Sequence, residues 1–534
     1  MPKPTRALRI HAVSRTPFVA VDENSAVPLY QQIYVGIREH IIAGSLTAGS
    51  KLASSRRMAI ELGVSRFTIV AAFDALLSEG YLVASSRGGT FVSKSLPDLS
   101  LRSRARSIPR GDSRRPAPRT SPSVESRLSL RGRAISGLTI TGPRYSEDEP
   151  RPFHPRRPPL DIFPAAEWAR LVRRQWQSRR HQMLDYGEPS GYLGLRQAIA
   201  DHAAGTRGVV ASADQVIITS GAQQAFNLVF QLLLNAGDDV WIEEPGYLDA
   251  RAAMTAWGAR VHPVPVDAEG LSVVAGIETA PNARLAYVSP SHQYPTGATM
   301  SASRRLALLQ WAHDSNSWIV EDDYDSYFRY RGRPLPALQR LESDWLSSRS
   351  DAQAEARVLY VGTFSKTMFP SLRLGYCIVP RELAPVFANA RAIADRNSPI
   401  ADQAALELFI KEGHYDRHLR RIRAACLERY EATMYAAGRH LAGVVSLTPM
   451  NAGTHVLGTL SSGCPTAPRL EVLAREQGIV LFPLSRYCIR RPPRDAIILG
   501  YGGLTPRAID AGIRRLASIL ETTSRHSERR REAP

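Results

Sequence analysis

The 534-residue chain has only four cysteines, Cys377, Cys426, Cys464 and Cys488, and none of them forms a CxxC pair. That excludes a disulfide framework and points to free thiols in a reducing cytoplasm. No metal site is expected. No run of about 18 uninterrupted apolar residues occurs, so neither a transmembrane helix nor a membrane partner is expected. Residues 1–20 are basic but lack an apolar core segment, which rules out a secretory signal. Acids are missing before Asp22, a faint likeness to a transit peptide, and an unstructured leader over 1–24 is the expectation. Acids are also scarce overall, 50 against 68 Lys and Arg, giving a net charge of +18. Such an excess fits a polyanionic partner. The excess is uneven, with residues 93–157 alone carrying +9.

Enough is present for more than one domain: 44% of residues are hydrophobic. Pro28 opens a helical pattern with Leu29, Ile33, Ile37 and Ile41 four residues apart, stopped by Gly44. Residues 52–62 read as a short second helix with Ser54 or Ser55 as its cap. After the Gly63-Val64 turn, Ser65 caps a third helix to Ser78, with Ile69, Ala72, Phe73 and Leu76 inward. Residues 81–92 read as a hairpin turning at Gly88-Gly89. Two short helices joined by a glycine turn, then a hairpin, make a winged helix-turn-helix over 25–93. Its third helix would enter the major groove of double-stranded DNA with Ser65, Arg66 and Thr68 foremost.

Residues 94–157 are rich in Ser, Pro and Arg, and apolar periodicity is absent until about Leu138. This composition predicts a flexible, basic linker. Its arginines either add sequence-independent DNA affinity or merely keep the segment soluble.

From 158 to 520 short apolar runs alternate with amphipathic stretches such as 301–313. The runs begin at Val216, Asp239, Leu285, Trp318 and Val358. This is an α/β pattern with a mainly parallel sheet, whose ligands collect in the loops after the strands. Ser220-Gly221-Ala222-Gln223 follows the first run and opens a helix, which suits a phosphate. Tyr247 follows the second run and can stack on a flat ring. Glu321-Asp322-Asp323-Tyr324 follows the fourth, and a carboxylate there can hold a pyridine nitrogen protonated. The last run leads into Thr363-Phe-Ser365-Lys366, with Arg373 before the next strand. A lysine between buried strands is costly if charged and unpaired, and that cost vanishes in a Schiff base. Hydroxyls and a guanidinium beside it suit a phosphate. Aldehyde and phosphate together describe pyridoxal 5'-phosphate (PLP). Residues 521–534 read as a basic tail.

Two resemblances follow. The head resembles gntR-type DNA-binding domains through Leu52-x-Ser54-x-Arg56, Gly63-Val-Ser-Arg66-x-Thr68, Glu79-Gly80-Tyr81 and Gly89-Thr-Phe-Val92. The resemblance implies that Arg56, Arg66 and Thr68 meet DNA and that Gly88 and Gly89 form the wing tip. Ala53 stands where that family usually has proline. The body resembles fold-type I PLP aminotransferases. It implies Lys366 as the Schiff-base lysine, Asp322 at the pyridine nitrogen, Tyr324 at the 3-hydroxyl and Tyr247 on the ring. It implies Ala222, Gln223, Ser365 and Arg373 as the phosphate cup, and Tyr186 reaching the partner's phosphate in a homodimer. Two features depart from that pattern. Tyr294 replaces the asparagine of Asn-Pro-Thr-Gly, and the C-terminal arginine for a substrate carboxylate is missing, with Arg486 as a substitute and Arg490 and Arg491 as others.

Ser291-His-Gln-Tyr-Pro-Thr-Gly297, Glu321-Asp-Asp-Tyr-Asp-Ser326 and Glu412-Gly-His-Tyr-Asp-Arg-His418 are more similar to the MocR/GabR regulators than to true aminotransferases. That resemblance implies a transcription regulator sensing PLP, or an amine or amino acid that joins it in an external aldimine. An aminotransferase with an appended head is the rival, although the two departures argue against efficient turnover and leave at most slow transamination. A DNA-binding scaffold with a purely structural cofactor is the third reading.

Overall fold

The computed structural model describes residues 19–22, 25–85, 88–95, 127–138, 152–178, 180–332, 335–348 and 355–531. The chain divides into two compact units, one up to Ser121 and one from Pro122.

The first unit is three helices and a hairpin. α1 (Leu29–Ile42) buries the predicted stripe of Ile33, Ile37 and Ile41. α2 (Ser55–Leu62) is capped by Ser54, and α3 (Arg66–Ser78) by Ser65. β1 (Leu82–Ala84) pairs antiparallel with β2 (Thr90–Val92). The second helix starts later than Leu52 because Leu52 N donates to Thr90 O at 2.9 Å, tying that backbone to the wing. Ala53 is fully buried in the core of this unit. The leader is also shorter than expected. Val19 packs so closely on Gly36 that a Cβ there would lie 2.6 Å from its Cγ1. The Gln32 amide bonds both N and O of Asp22. A single valine and a backbone clamp leave no periodic signal in the sequence.

The second unit holds an eight-stranded sheet. Its strands are β3 (Val216–Thr219), β4 (Asp239–Glu244), β5 (Arg260–Asp267), β6 (Gly270–Leu271), β7 (Leu285–Val288), β8 (Trp318–Asp323), β9 (Val358–Thr363) and β10 (Gly375–Ile378). Their order is β3-β10-β9-β8-β7-β4-β5-β6. The run from β9 to β5 is parallel, while β10 is antiparallel to both its neighbours. Strands covered on both faces need apolar residues on both, hence the continuous runs in the sequence. Every residue of β3, β7 and β8 is buried. Successive residues of β9 and β10 feed opposite cores: Leu359 and Cys377 one, Tyr360 and Tyr376 the other.

A smaller antiparallel sheet follows, built from β11 (Val445–Leu447), β12 (His455–Leu460), β13 (Phe482–Pro483) and β14 (Ala496–Gly500), in the order β11-β12-β14-β13. The expected linker 94–157 is corrected at this sheet. Phe153 is fully buried at a left-handed φ of 69°, and its carbonyl accepts from Gly500 N at 2.8 Å. Pro152 O accepts from Val480 N at 3.0 Å. Residues 152–157 are therefore a strap on the body. It is held by backbone bonds and one aromatic ring, which a search for periodicity cannot find. A short helix, Leu130–Ser136, also lies within the expected linker, with Arg131 over the Trp257 ring at 3.8 Å. Arg102, Arg104, Arg106, Arg110, Arg114, Arg115 and Arg119 fall outside the described residues. At the other end the helix Pro506–Arg531 runs through the expected boundary at 520, where Leu520 is still buried. Among the described residues no helix is long and apolar enough to cross a membrane.

Phe153→Ala should destabilise the body by about 3–5 kcal/mol, the usual loss for a buried phenylalanine. Urea titration of the purified chain, followed by tryptophan fluorescence, measures this.

Candidate functional site

The loops after the parallel strands meet over a cavity of about 530 Å³. Ala222, Gln223, Tyr247, Asp322, Tyr324, Ser365, Lys366 and Arg373 all line it. The structure thus brings together eight residues drawn from four separate loops of the sequence.

The phosphate-like end is built by close backbone approach. Gly221, at φ 82°, precedes the helix Ala222–Leu233, whose first amides have no helical acceptor. β10 pairs beside it, and a Cβ on Gly375 would lie 2.9 Å from Gly221 Cα. Only glycine fits there. Arg373 reaches across, and its Nη2 donates to Ser220 O at 2.9 Å. Thr363 Oγ1 accepts from Ser365 N at 3.2 Å, turning the chain before Lys366.

The acidic run that ends β8 divides by strand alternation. Glu321 and Asp323 point one way and Asp322 the other. Glu321 accepts from Leu338 N at 2.8 Å and Gln339 N at 3.0 Å, at the start of the helix Leu338–Ser347. Asp323 is ion-paired with Arg207 at 2.8 Å and accepts from the Tyr360 hydroxyl. Asp322 faces the cavity. Its Oδ2 accepts from the Tyr287 hydroxyl, whereas Oδ1 is buried without a partner. Burial pushes its carboxyl up to about 8. A buried orphan carboxylate oxygen fits a protonated ring nitrogen.

Lys366 is the opposite case. Burial, helped by the nearby Arg156 charge, pulls its amine down to about 8. A useful fraction is therefore the free base near neutral pH, the form that attacks an aldehyde. Its Nζ donates to Arg156 O at 2.9 Å. Tyr324 hydroxyl lies 3.2 Å from His292 Nδ1, which in turn is 2.7 Å from Asp325 Oδ2. Tyr247 donates to Asp249 Oδ2 at 2.9 Å, fixing its ring at the cavity wall. Cup, orphan carboxylate, flat ring and low-pKa amine together fit a phosphorylated pyridine aldehyde.

Two further residues do not line this cavity, and of these Tyr186 is expected at the partner's site rather than at this one. Tyr186 is 80% exposed, with Arg396 over its ring at 5.4 Å, and lies outside this chain's cavity. Arg486 pairs with Glu471 at 2.6 Å and lies over the Phe482 ring, so it does not line the cavity either. It sits in the turn Leu484–Tyr487, where Tyr487 turns inward instead, taking a 2.9 Å bond from the Tyr294 hydroxyl. Sequence reasoning missed Arg156, Asp249, Asp325, Thr454 and His455, all of which line the cavity. Asp249 and Asp325 each stand beside a residue already singled out. Arg156 was hidden in the Pro- and Arg-rich stretch.

In the first unit, Arg56, Ser65 and Arg66 are exposed and Thr68 half-buried. Ser65 Oγ accepts from Thr68 N at 3.1 Å, so both are engaged in capping α3. Gly88 and Gly89 are exposed at the wing tip with φ of 86° and 123°. Phe67, beside Arg66, is 82% exposed and was not anticipated.

Comparison with known proteins agrees with both units. Residues 29–92 match the family of bacterial regulatory proteins of gntR type, and residues 161–485 match aminotransferase class I and II. The probable rhizopine catabolism regulatory protein MocR of Rhizobium meliloti is 37% identical, over 94% of this chain and 96% of its own. The pyridoxine biosynthesis transcriptional regulator PdxR of Corynebacterium glutamicum is 29% identical, over 91% and 94%. Among solved structures, the α-aminoadipate aminotransferase LysN of Thermus thermophilus, complexed with N-(5'-phosphopyridoxyl)-L-leucine, is 28% identical with a TM-score of 0.63. It covers 70% of this chain and 92% of its own. A helix-turn-helix head fused to an aminotransferase-type body defines a class of transcription regulators. The chain belongs to the MocR-type members of that class.

Asp322 yields a pH test. Unfolded, its carboxyl ionises near 3.8; folded, it holds its proton up to about 8. The folded state thus binds the extra proton between those values, and its advantage is lost as pH rises through them. Cofactor-free Asp322→Asn should therefore lose less thermal stability than the parent between pH 5 and 8, while retaining PLP more weakly. Melting curves at both pH values and PLP retention on dialysis measure the two effects.

Proposed function

We propose that the body binds PLP through Lys366 and that an amine or amino-acid effector bound there alters how the head engages its operator. The observation that carries this is the convergence of Lys366, Asp322 and the Ala222–Arg373 cup on one cavity. When bound, PLP supplies an aldehyde that condenses reversibly with primary amines. The chain's own groups then act around it. Asp322 would hold the ring nitrogen's proton, Tyr324 would serve the 3-hydroxyl, Tyr247 would cover the ring, and Ala222, Gln223, Ser365 and Arg373 would hold the phosphate. Lys366 would hold the aldehyde through its amine and would be the group that an effector amine displaces. That exchange can move an equilibrium between body conformations only as far as the effector's differing affinity for them allows.

The protein works as a cytoplasmic homodimer in this reading. Tyr186, exposed on one protomer, completes the phosphate site of the other. In the head, Arg56, Ser65, Arg66 and Thr68 meet double-stranded DNA in the major groove, with Gly88 and Gly89 at the wing tip. Two heads on one dimer engage two half-sites, and linking them raises the effective concentration of the second.

Lys366→Ala should abolish the near-visible absorbance of PLP-loaded protein without lowering its affinity for DNA in the absence of effector. Arg66→Ala should keep the absorbance and weaken binding to operator DNA selected with the parent protein by about 10-fold or more, a base-contacting arginine being worth about 1–3 kcal/mol. Fluorescence anisotropy at fixed salt reads the second effect. A colourless parent protein that takes up no added PLP would refute the sensor reading.

A further inference from the structure

The cavity holds a second guanidinium besides Arg373, and the PLP site described above has no use for it. Arg156 is delivered by the strap that Phe153 anchors. Its carbonyl accepts the 2.9 Å bond from Lys366 Nζ, so its side chain departs from beside the reactive amine. The guanidinium lies 5.7 Å from the centre of the Tyr247 ring. Its Nη1 donates to Asp249 Oδ2 at 3.2 Å, and that same oxygen accepts from the Tyr247 hydroxyl. Asp249 thus orients the guanidinium from one side only. Nε is buried and has no partner. A guanidinium carries five N–H donors in a rigid fork, and the edge formed by Nε and the second terminal nitrogen matches two oxygens of a planar acid.

The position where aminotransferases were expected to supply a carboxylate-binding arginine offers none here. β14 runs Ala496-Ile-Ile-Leu-Gly500 with every residue buried. Arg486 is occupied by Glu471 at 2.6 Å. Among the described residues that line the cavity, Arg156 is the guanidinium left for a second, acidic group on an effector whose amine sits at Lys366.

We infer that Arg156 is the recognition residue for the effector's acidic group, and that the effector is an amine bearing a carboxylate or sulfonate rather than a plain amine. The inference rests on the PLP-sensor reading. In it, Nη1 stays with Asp249 while the free edge of the fork takes the anion. Asp249 is a positioning residue, since its bond to Nη1 fixes the orientation of the guanidinium.

The test titrates the PLP-loaded full-length protein calorimetrically with four probes: L-alanine, β-alanine, taurine and ethylamine. The first three are ethylamine with an added carboxylate or sulfonate. At least one acidic probe should bind about 10- to 100-fold more tightly than ethylamine, the value of a hydrogen bond to a charged group. The comparison of β-alanine with taurine decides between carboxylate and sulfonate. In Arg156→Gln the preference over ethylamine should collapse. Arg156→Lys, which keeps the charge and loses the fork, should fall between the two. Equal binding of all four probes by the parent protein, or a preference that survives in Arg156→Gln, overturns the inference. Failure of the sensor reading looks different: the parent protein then takes up no PLP, gains no near-visible absorbance, and gives no heat with any amine.

Discussion

A lysine amine and a carboxyl group are both held out of water on the walls of one cavity, and most of the body exists to keep them there. Burial drives Lys366 down and Asp322 up, so each is pushed toward its neutral form. Such groups persist only where the surrounding structure fixes them, because each gains more from a partner than from its present neighbours. Parallel strands supply that rigidity. β8 and β9 are hydrogen-bonded side by side, so Asp322, near the end of β8, and Lys366, just beyond the end of β9, stand at adjacent strand ends. The Tyr287 hydroxyl holds one oxygen of Asp322 and leaves the other free.

Around this pair, neighbouring acids do unrelated work. Glu321 caps a helix, Asp323 neutralises the buried Arg207, and Asp325 holds His292. Four carboxylates within five residues thus point to different partners, although the charges of Asp323 and Asp325 still add to the upward push on Asp322. The alternation of a strand makes that possible, and a helix with the same residues would bring some of them onto one face. The small antiparallel sheet has a comparable role. It pins residues 152–157 through Phe153 and so turns a proline-rich connection into one wall of the site.

The head has a separate core of Ile33, Ile37, Ile41, Ile69, Phe73 and Leu76. It buries its own apolar stripe and needs no residue of the body to do so. A regulator built this way can change its ligand chemistry and its DNA chemistry independently, each being confined to one unit.

The sequence by itself determined the local features. The α1 stripe, the Ser65 cap, the glycine wing tip and the apolar strands are all properties of period and turn chemistry, which short windows carry. The order of motifs after successive strands carried the identity of the lining residues, because in a parallel sheet each strand end opens onto the same edge. Tertiary structure alone decided the rest. The strap at 152–157 has no period, since one phenylalanine and backbone bonds hold it. Whether an arginine faces a ligand depends on what pairs with it across the fold: Glu471 removed Arg486 from the site, and Lys366 and Asp249 brought Arg156 into it. Those partners lie from 15 to 210 residues away along the chain, a separation at which no pattern of neighbours reports who meets whom.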